Sequence, residues 1–197
     1  MATRSRHKLG ELRDLLALPR TELVSLDELD VPGDPVEDGP TFEANALIKA
    51  AWGLAATGLP TLADDSGIEV EALGWGPGVR TRRYAGEDAT DAQNNARLLA
   101  ALAGLPPEQR RARYVCVLAF AGPAGREPIL CRGTFEGRIA TAPRGNAGFG
   151  YDPIFEPLGE PPGGRTVGQM SAAEKNAVSH RAIAARAMGE ALRALGY

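Results

Sequence analysis

Thr61-Leu62-Ala63-Asp64-Asp65-Ser66-Gly67 places two adjacent carboxylates after a short apolar run and before a glycine. Residues 61–63 are expected to form a buried strand that leads into the pair, and Ser66-Gly67 a turn. Because neighbouring strand residues point to opposite sides, we expect one aspartate to face a cleft and the other to anchor the turn. Adjacent carboxylates suit a divalent cation, and a turn capped by both is the structural alternative.

Helices and strands precede this stretch along the chain. Leucine spacing predicts a helix over 8–18, and a short strand is expected at 23–26. The acidic, Pro- and Gly-rich segment 30–40 is predicted to be a loop. Thr41 is a plausible N-cap for a helix that runs to about Thr57 and closes at a glycine.

A similar alternation follows the aspartate pair. Asp91 is expected to cap a helix through Leu102, and residues 113–121 and 128–139 are predicted to form two antiparallel strands. A capping box over 171–174 opens the last helical region. Helices that alternate with strands, with one hairpin among them, favour an α/β or α+β mixed sheet over an all-helical or all-β fold.

Composition limits the class of protein. The chain has 197 residues, of which 44% are hydrophobic and 24% charged, with a formal net charge of −3. This predicts one domain or a two-lobed unit with no general attraction to nucleic acid. No apolar run approaches the roughly 18 residues that span a bilayer, and the N-terminus does not resemble a secretory signal. Cys116 and Cys131 are expected to be thiols in a reducing cytoplasm.

The acidic loop adds a second candidate metal ligand. Mg²⁺ commonly takes one or two protein carboxylates, with water and phosphate oxygens completing its shell, and Glu37 with Asp65 would fit that pattern. Lys49 lies in an Ala-rich helix, where an inward ammonium needs an anion; a surface lysine with a buried stem is the alternative. The other candidate phosphate contacts are Arg4, Arg6 and Lys8.

Two later segments could bind a flat base. In Phe149-Gly150-Tyr151-Asp152-Pro153 a ring can stack on a base and the carboxylate can accept from ring N–H groups, although aromatic packing under the loop is equally possible. In one continuous helix Lys175 and His180 would lie about 140° apart. We therefore predict a break before Ser179 and a new helix from His180, whose N-terminus points donors toward a ligand.

Six motifs, in order along nearly the whole chain, closely resemble the inosine triphosphate pyrophosphatase family, whose bacterial branch includes dITP/XTP diphosphatases. They are Thr41–Ala50, Ala63–Gly67, Gly76–Val79, Arg83–Gly86, Phe149–Pro153 and Glu174–Arg181. The resemblance implies a single domain over 1–197, with two lobes around a long curved mixed sheet, flanking helices and a central active-site cleft. It also implies a homodimer that uses Mg²⁺ to hydrolyse ITP, dITP and XTP to the monophosphate and pyrophosphate.

The resemblance also implies roles for individual residues. Asp65 would be the general base and a metal ligand, and Glu37 the second metal ligand. The implied substrate contacts are Thr3, Ser5, Lys8, Lys49, Ser66, Phe149, Gly150, Tyr151, Asp152, Lys175, His180 and Arg181. Those before residue 70 would contact phosphates and sugar, Phe149 would stack on the base, and the polar residues from Asp152 onward would read its edge.

The first segment departs from the family pattern. Members usually have an apolar strand that runs into Thr-Gly-Asn-x-x-Lys. This chain keeps Thr3 and Lys8, but Arg4 stands at the glycine position and Ser5 at the asparagine position, and most of the first strand is expected to be missing. Reduced activity or an altered substrate preference would follow if the backbone could no longer approach the ligand.

Two alternative functions remain at this stage. One is a nucleotide-binding module whose catalysis is weakened or lost through the altered first loop. The other is a pyrophosphatase for modified pyrimidine nucleotides, as in the related Maf-like family. Lys175 followed by His180-Arg181 favours the purine interpretation, because these donors match a 6-oxo group.

Overall fold

A computed structural model describes residues 1–123 and 126–197. Five α-helices occur in this part of the chain: α1 (Arg6–Leu16), α2 (Phe42–Thr57), α3 (Asp91–Ala101), α4 (Ala172–Val178) and α5 (His180–Ala194). The strands are β1 (Thr61–Val70), β2 (Gly76–Pro77), β3 (Arg111–Ala121), β4 (Ile129–Ile139) and β5 (Phe155–Pro157). They form one sheet in the order β2-β1-β3-β4-β5. The mixed α/β fold class is thus confirmed.

Antiparallel pairing is seen at both edges of the sheet. Glu69 of β1 lies opposite Pro77 of β2, and Arg138 of β4 lies opposite Glu156 of β5. The two long strands β3 and β4 correspond to the predicted hairpin. Its connecting turn lies partly outside the described residues, since Ala124 and Gly125 are not among them.

The helix ends follow the capping residues read from the sequence. The Thr41 hydroxyl accepts from the Ala44 N–H at 3.1 Å, and Gly58 closes α2 in the left-handed region with φ 69°. The capping box of Ser171 with Glu174 opens α4 as predicted. Helix α3 differs by one residue, because Thr90 and not Asp91 is its N-cap. None of the described helices combines the length and apolar character needed to cross a membrane.

The predicted break between the last two helices is confirmed. Helix α4 ends at Val178, Ser179 is extended with φ −66° and ψ 156°, and α5 begins at His180. The first turns of α5 lie directly against β4. A Cβ atom added at Gly133 would overlap the carbonyl oxygen of His180 and lie 2.7 Å from the backbone nitrogen of Ala184. This close approach sets the position of the α5 N-terminus.

The turn predicted after the aspartate pair is wrong. Strand β1 continues through Asp64, Asp65, Ser66 and Gly67 to Val70. In the sheet it lies between the long strand β3 and the short strand β2, which pairs with it at Glu69 and Val70. Ladder bonds to neighbours that are distant in sequence override the local turn preference of Asp-Ser-Gly.

The strand predicted at 23–26 is also wrong, since this described segment has no strand assignment. Its backbone groups are bound individually instead of by a neighbouring strand. Arg13 donates to the Leu23 carbonyl at 2.8 Å, and the Met1 amino group donates to the Val24 carbonyl. Glu28 accepts from the Ser25 N–H at 2.7 Å.

The chain divides into two compact units, each with its own apolar core. One unit contains residues 1–65, 116–133 and 180–197, and the other contains 66–115 and 134–179. The larger buried side chains of the first core are Leu12, Leu62, Leu118, Phe120, Met188 and Leu192. Those of the second are Ile68, Leu98, Tyr114, Ile139, Ile154 and Phe155. That the chain is a single two-lobed domain over 1–197 stays a prediction.

Replacing Gly133 by alanine is expected to lower the free energy of unfolding by about 3 kcal/mol, because the new methyl group meets backbone atoms that cannot rotate away. Gly10→Ala is the matched control. Gly10 lies within α1 with open space around its Cβ position, so alanine there should stabilise the protein by about 0.5–1 kcal/mol. Urea denaturation of both variants measures the difference. Equal stability of the two variants would contradict the close contact between β4 and α5.

The two thiols are expected to differ in reactivity. Burial raises the pKa of Cys116 to about 12, and burial also raises the pKa of the half-buried Cys131. With the thiolate as the reactive form, Cys131 should react with an aromatic disulfide reagent at pH 8 roughly tenfold faster or more. Reaction progress in the wild type and in Cys131→Ser checks this. A fast phase that survives in Cys131→Ser would contradict it.

Candidate active site

Asp65 on β1 and Lys49 on α2 form the centre of an acidic cluster in the first unit. The Lys49 Nζ lies 2.8 Å from Asp65 Oδ1 and 2.8 Å from Glu37 Oε2. Asn45, one turn before Lys49 on the same helix, donates from Nδ2 to Asp65 Oδ2 at 3.3 Å. Of the two alternatives for Lys49, the structure therefore shows the inward ammonium paired with anions.

Asp64 has a different partner, as expected for neighbouring strand residues. Its Oδ2 lies 2.8 Å from the Nζ of Lys8 on α1, and the side chain is only 2% exposed. Each of the two carboxylates thus has a lysine of its own at 2.8 Å. Lys8 and Lys49 approach β1 from two helices and leave the charges of the pair compensated.

Burial and neighbouring opposite charges shift the pKa values of the groups in this cluster in opposite directions. Burial alone would raise the pKa of the Asp64 carboxyl, but neighbouring cations, Lys8 foremost, hold it below its ordinary range. For Asp65 burial prevails and raises the pKa, with the charge of Glu37 adding to the rise against the opposing effect of Lys49. Burial lowers the pKa of Lys49, but the charges of the two aspartates outweigh burial and the net pKa is raised.

Glu37 and Asp65 offer donors suited to a divalent cation. Each has a carboxylate oxygen within 2.8 Å of one ammonium nitrogen, so both oxygens already converge on a positive charge. Carboxylate oxygens are the donors that Mg²⁺ prefers, and one or two from the protein are its common number. Among residues 1–123 and 126–197, no group of three or more His, Cys, Asp and Glu side chains is arranged to hold a metal.

The N-terminal segment is organised by local hydrogen bonds. Ser5 is the N-cap of α1 and accepts from the Lys8 N–H at 3.4 Å, while its own N–H donates to the Thr3 hydroxyl at 3.1 Å. The segment therefore turns directly into α1, which carries Lys8 toward β1. The side chain of Arg6, a candidate phosphate contact, lies outside what the structure describes.

Arg4 contacts the acidic loop. Its guanidinium donates to the Asp34 carboxylate at 2.9 Å and to the carbonyls of Val31 at 2.9 Å and Gly33 at 2.6 Å, and it also pairs with Asp27. Arg4, which stands where the family pattern has glycine, therefore holds residues 31–34 of the loop that leads to Glu37.

Asp152 is the centre of a polar cluster in the second unit. Its Oδ2 accepts from Lys175 Nζ at 2.7 Å and from the Phe149 N–H at 3.0 Å. Its Oδ1 accepts from the Tyr114 hydroxyl at 3.2 Å. The ammonium of Lys175 lies 4.7 Å from the centroid of the Phe149 ring. Three of the predicted base contacts, Phe149, Asp152 and Lys175, are thus brought together.

The neighbours of Phe149 are held differently. Tyr151 is buried in the second core, and its hydroxyl donates to the Thr81 carbonyl at 2.8 Å. Its ring therefore packs beneath the loop, which was the structural alternative for the aromatics of this motif. The backbone N–H and carbonyl of Gly150 bind side chains of helix α3. Ser66 is half-buried on β1.

His180 and Arg181 form the first turn of α5 in the first unit. Both are buried, and the Arg181 guanidinium donates to the Glu11 carboxylate of α1. Burial lowers the pKa of Arg181, but the charge of Asp64 foremost reverses this, and the net pKa is raised. A role for either residue in base recognition stays a prediction.

Four residues that organise these clusters were missed by the sequence analysis: Asn45, Asp91, Asn95 and Tyr114. Each acts through a partner at least 20 positions away in sequence, so local patterns give no indication of the contact. One signal was available for Asn95. An asparagine on the apolar side of a helix is uncommon unless its amide is bound.

Gly148 has a left-handed backbone (φ 76°), and a Cβ there would overlap the Asp152 carboxylate. Gly148→Ala should lower the free energy of unfolding by about 2–4 kcal/mol and displace Asp152 from Lys175. Gly150→Ala shares the left-handed strain (φ 63°) but meets no atom within 4 Å, so it should cost only about 1–2 kcal/mol. Chemical denaturation compares them. An equal loss of stability in both variants would show that backbone strain alone explains the effect of Gly148→Ala, without a collision with Asp152.

Comparisons with known proteins give one consistent result. The dITP/XTP pyrophosphatase of Corynebacterium diphtheriae is 49% identical over 186 residues, covering 92% of this chain and 89% of that protein. The protein of the same name from Symbiobacterium thermophilum is 49% identical and covers 99% of this chain and 94% of its own length.

Solved structures of similar proteins point to the same family as the sequence comparisons. A HAM1 protein from Coxiella burnetii superposes with a TM-score of 0.87 at 41% identity, covering 97% of this chain and 95% of its own. The Ham1 protein of Staphylococcus aureus gives a TM-score of 0.88 at 35% identity, covering 98% and 97%. The sequence profile of the Ham1 family matches residues 1–191. The chain therefore belongs to the Ham1 family.

Proposed function

We propose that this protein hydrolyses non-standard purine nucleoside triphosphates, namely ITP, dITP and XTP, to the monophosphate and pyrophosphate. The observation that carries the proposal is the convergence of the Asp65 and Glu37 carboxylates on Lys49. A converging pair of carboxylates beside a buried cation suits a triphosphate with its counter-ion. Relatives of nearly full length are named dITP/XTP pyrophosphatase, which supports this choice of substrate.

Glu37 and Asp65 are the proposed ligands of a Mg²⁺ ion. When bound, the ion would neutralise phosphate charge during the displacement. Lys49 and Lys8 then supply positive charge to the phosphate oxygens, because each already lies against a carboxylate of β1 and is held in place by it. Thr3, Ser5 and Ser66 are the proposed contacts to the phosphates and sugar.

Asp65 is the proposed general base. Water attacks the α-phosphorus in line, the bond from this phosphorus to the oxygen that bridges to the β-phosphorus breaks, and pyrophosphate leaves. The proton of the attacking water passes to the Asp65 carboxylate. Asn45 and Lys49 each hold one of its two oxygens, so the carboxylate has a set orientation for accepting that proton.

Residues of the Phe149 loop and of helices α4 and α5 are proposed to read the base. The Phe149 ring would stack on the purine, with Gly150 and Tyr151 holding the loop. Lys175 and Asp152, together with His180 and Arg181, provide donors for a 6-oxo group and an acceptor for ring N–H groups. Adenine presents a 6-amino donor at the same position, which would leave buried donors unpaired and be rejected strongly. We also infer a cytoplasmic homodimer.

Purified protein with Mg²⁺ should release pyrophosphate from dITP and XTP at least about 10²-fold faster, by kcat/KM, than from dATP. Pyrophosphate release with dITP, XTP, dGTP and dATP measures this preference. Equal rates on all four nucleotides would contradict the assignment. Binding of ITP without hydrolysis would favour a nucleotide-binding module instead.

Asp65→Asn should lower kcat for dITP by about 10³-fold while leaving the melting temperature within a few degrees of wild type. Asparagine has the same shape and keeps an oxygen for Lys49, but it cannot take a proton. Asp38→Asn, at an exposed position of the same acidic loop, is the matched control and should keep full activity. An Asp65→Asn variant that retains most of its turnover would refute the general-base role.

Glu37→Gln should weaken Mg²⁺ binding, because an amide oxygen is a poorer ligand for a hard cation than a carboxylate. The Mg²⁺ concentration for half-maximal rate should rise about tenfold, with kcat at saturating Mg²⁺ changed much less. Titration calorimetry of Mg²⁺ in the absence of nucleotide gives an independent reading. Identical Mg²⁺ dependence of wild type and Glu37→Gln would exclude Glu37 as a ligand.

A further inference from the structure

Gly150 is held on both sides of its backbone by helix α3. The Asp91 carboxylate accepts from the Gly150 N–H at 2.7 Å, and the Asn95 amide donates to the Gly150 carbonyl at 3.1 Å. Asp91 and Asn95 are four positions apart on α3, so their side chains lie one above the other on one face of the helix. Two side chains of one helix thus bind the donor and the acceptor of a single loop residue.

The helix that supplies these contacts is itself well fixed. Leu98 is fully buried in the second core. Asn94 accepts from the Ala85 N–H and donates to the Arg82 carbonyl, both at 2.8 Å. The helix is capped by Thr90, so Asp91 is not needed as its N-cap. The helix is therefore a rigid support for the two side chains that reach the loop.

The loop needs such support because its own backbone is permissive. Gly150 has φ 63°, and no atom lies within 4 Å of the position that a Cβ would occupy there. On the other side of Phe149, the Phe149 N–H is bound by Asp152. The peptide groups on both sides of the Phe149 Cα are thus tied, one to Asp152 and one to Asp91, which limits rotation of the backbone that carries the ring.

We propose that Asp91 and Asn95 are positioning residues for base recognition, fixing the Gly150 backbone so that the Phe149 ring and the Asp152 carboxylate face the purine together. This inference rests on the proposed function, in which Phe149 stacks on the base. Neither residue touches the nucleotide. Their effect should appear in base binding and base discrimination, and not in the handling of phosphates.

The test compares Asp91→Ala/Asn95→Ala with wild type and with Asp88→Ala, an exposed acidic residue of the preceding loop. In the double variant the Kd for IMP, measured by calorimetry, should rise about tenfold. The KM for dITP should rise about as much with kcat nearly unchanged, and the preference for dITP over dATP should fall. Inhibition by inorganic pyrophosphate, which has no base, should stay within about twofold of wild type.

Two further measurements separate positioning from a general structural role. Hydrogen exchange at the Gly150 amide should accelerate at least about tenfold in the double variant, while the melting temperature stays close to that of Asp88→Ala. Asp91→Asn, which keeps an acceptor oxygen for that amide, should restore most of the IMP affinity lost in Asp91→Ala.

Unchanged IMP affinity in the double variant, or an equal loss of IMP and pyrophosphate affinity, would overturn the inference. Failure of the proposed function is a distinct result. In that case wild type itself would neither hydrolyse dITP nor bind IMP, whatever the exchange rate at Gly150.

Discussion

A buried ammonium held between two carboxylates is the interaction on which the first unit depends. Lys49 is nearly inaccessible, and a charge in that position is tolerated only when paired. Asp65 and Glu37 supply the pairing from a central strand and from an acidic loop. The arrangement therefore joins three segments that are separate in sequence, and Lys49 is the cation that both carboxylates share.

The shape of α2 makes this pairing possible. Its buried residues form one stripe with helical spacing: Phe42, Asn45, Ala46, Lys49, Ala50 and Gly53. Three of the six, Ala46, Ala50 and Gly53, are small, which lets the helix pack closely, and the two polar members are the ones that bind Asp65. A helix side that would ordinarily be wholly apolar thus supplies a donor and a cation to the strand.

The second unit uses the same strategy with different groups. Asp152 is almost fully buried and accepts from an ammonium, a phenol and a backbone N–H. Saturation of both carboxylate oxygens fixes the side chain and, through the Phe149 N–H, the aromatic loop. The proposed division of work follows from these contacts. In the proposed function, charge compensation serves the phosphates and an ordered loop serves the base.

Features set by neighbouring residues could be predicted from the sequence. The N-cap at Thr41 and the break at Ser179 were correct because capping depends on residues within one turn. The extension of β1 beyond Asp65 was missed, since it depends on pairing with strands elsewhere in the chain. For the same reason no local pattern could predict the contact between Arg181 and Glu11, which lie 170 positions apart.

A crystal structure with Mn²⁺ and a non-hydrolysable ITP analogue would show whether Glu37 and Asp65 hold the metal that accompanies the nucleotide. We expect an anomalous signal for the metal at the carboxylates of Glu37 and Asp65, with Lys49 turned toward a phosphate oxygen and the base on the Phe149 ring. Metal bound away from both carboxylates, with Lys49 still joining them, would contradict this expectation.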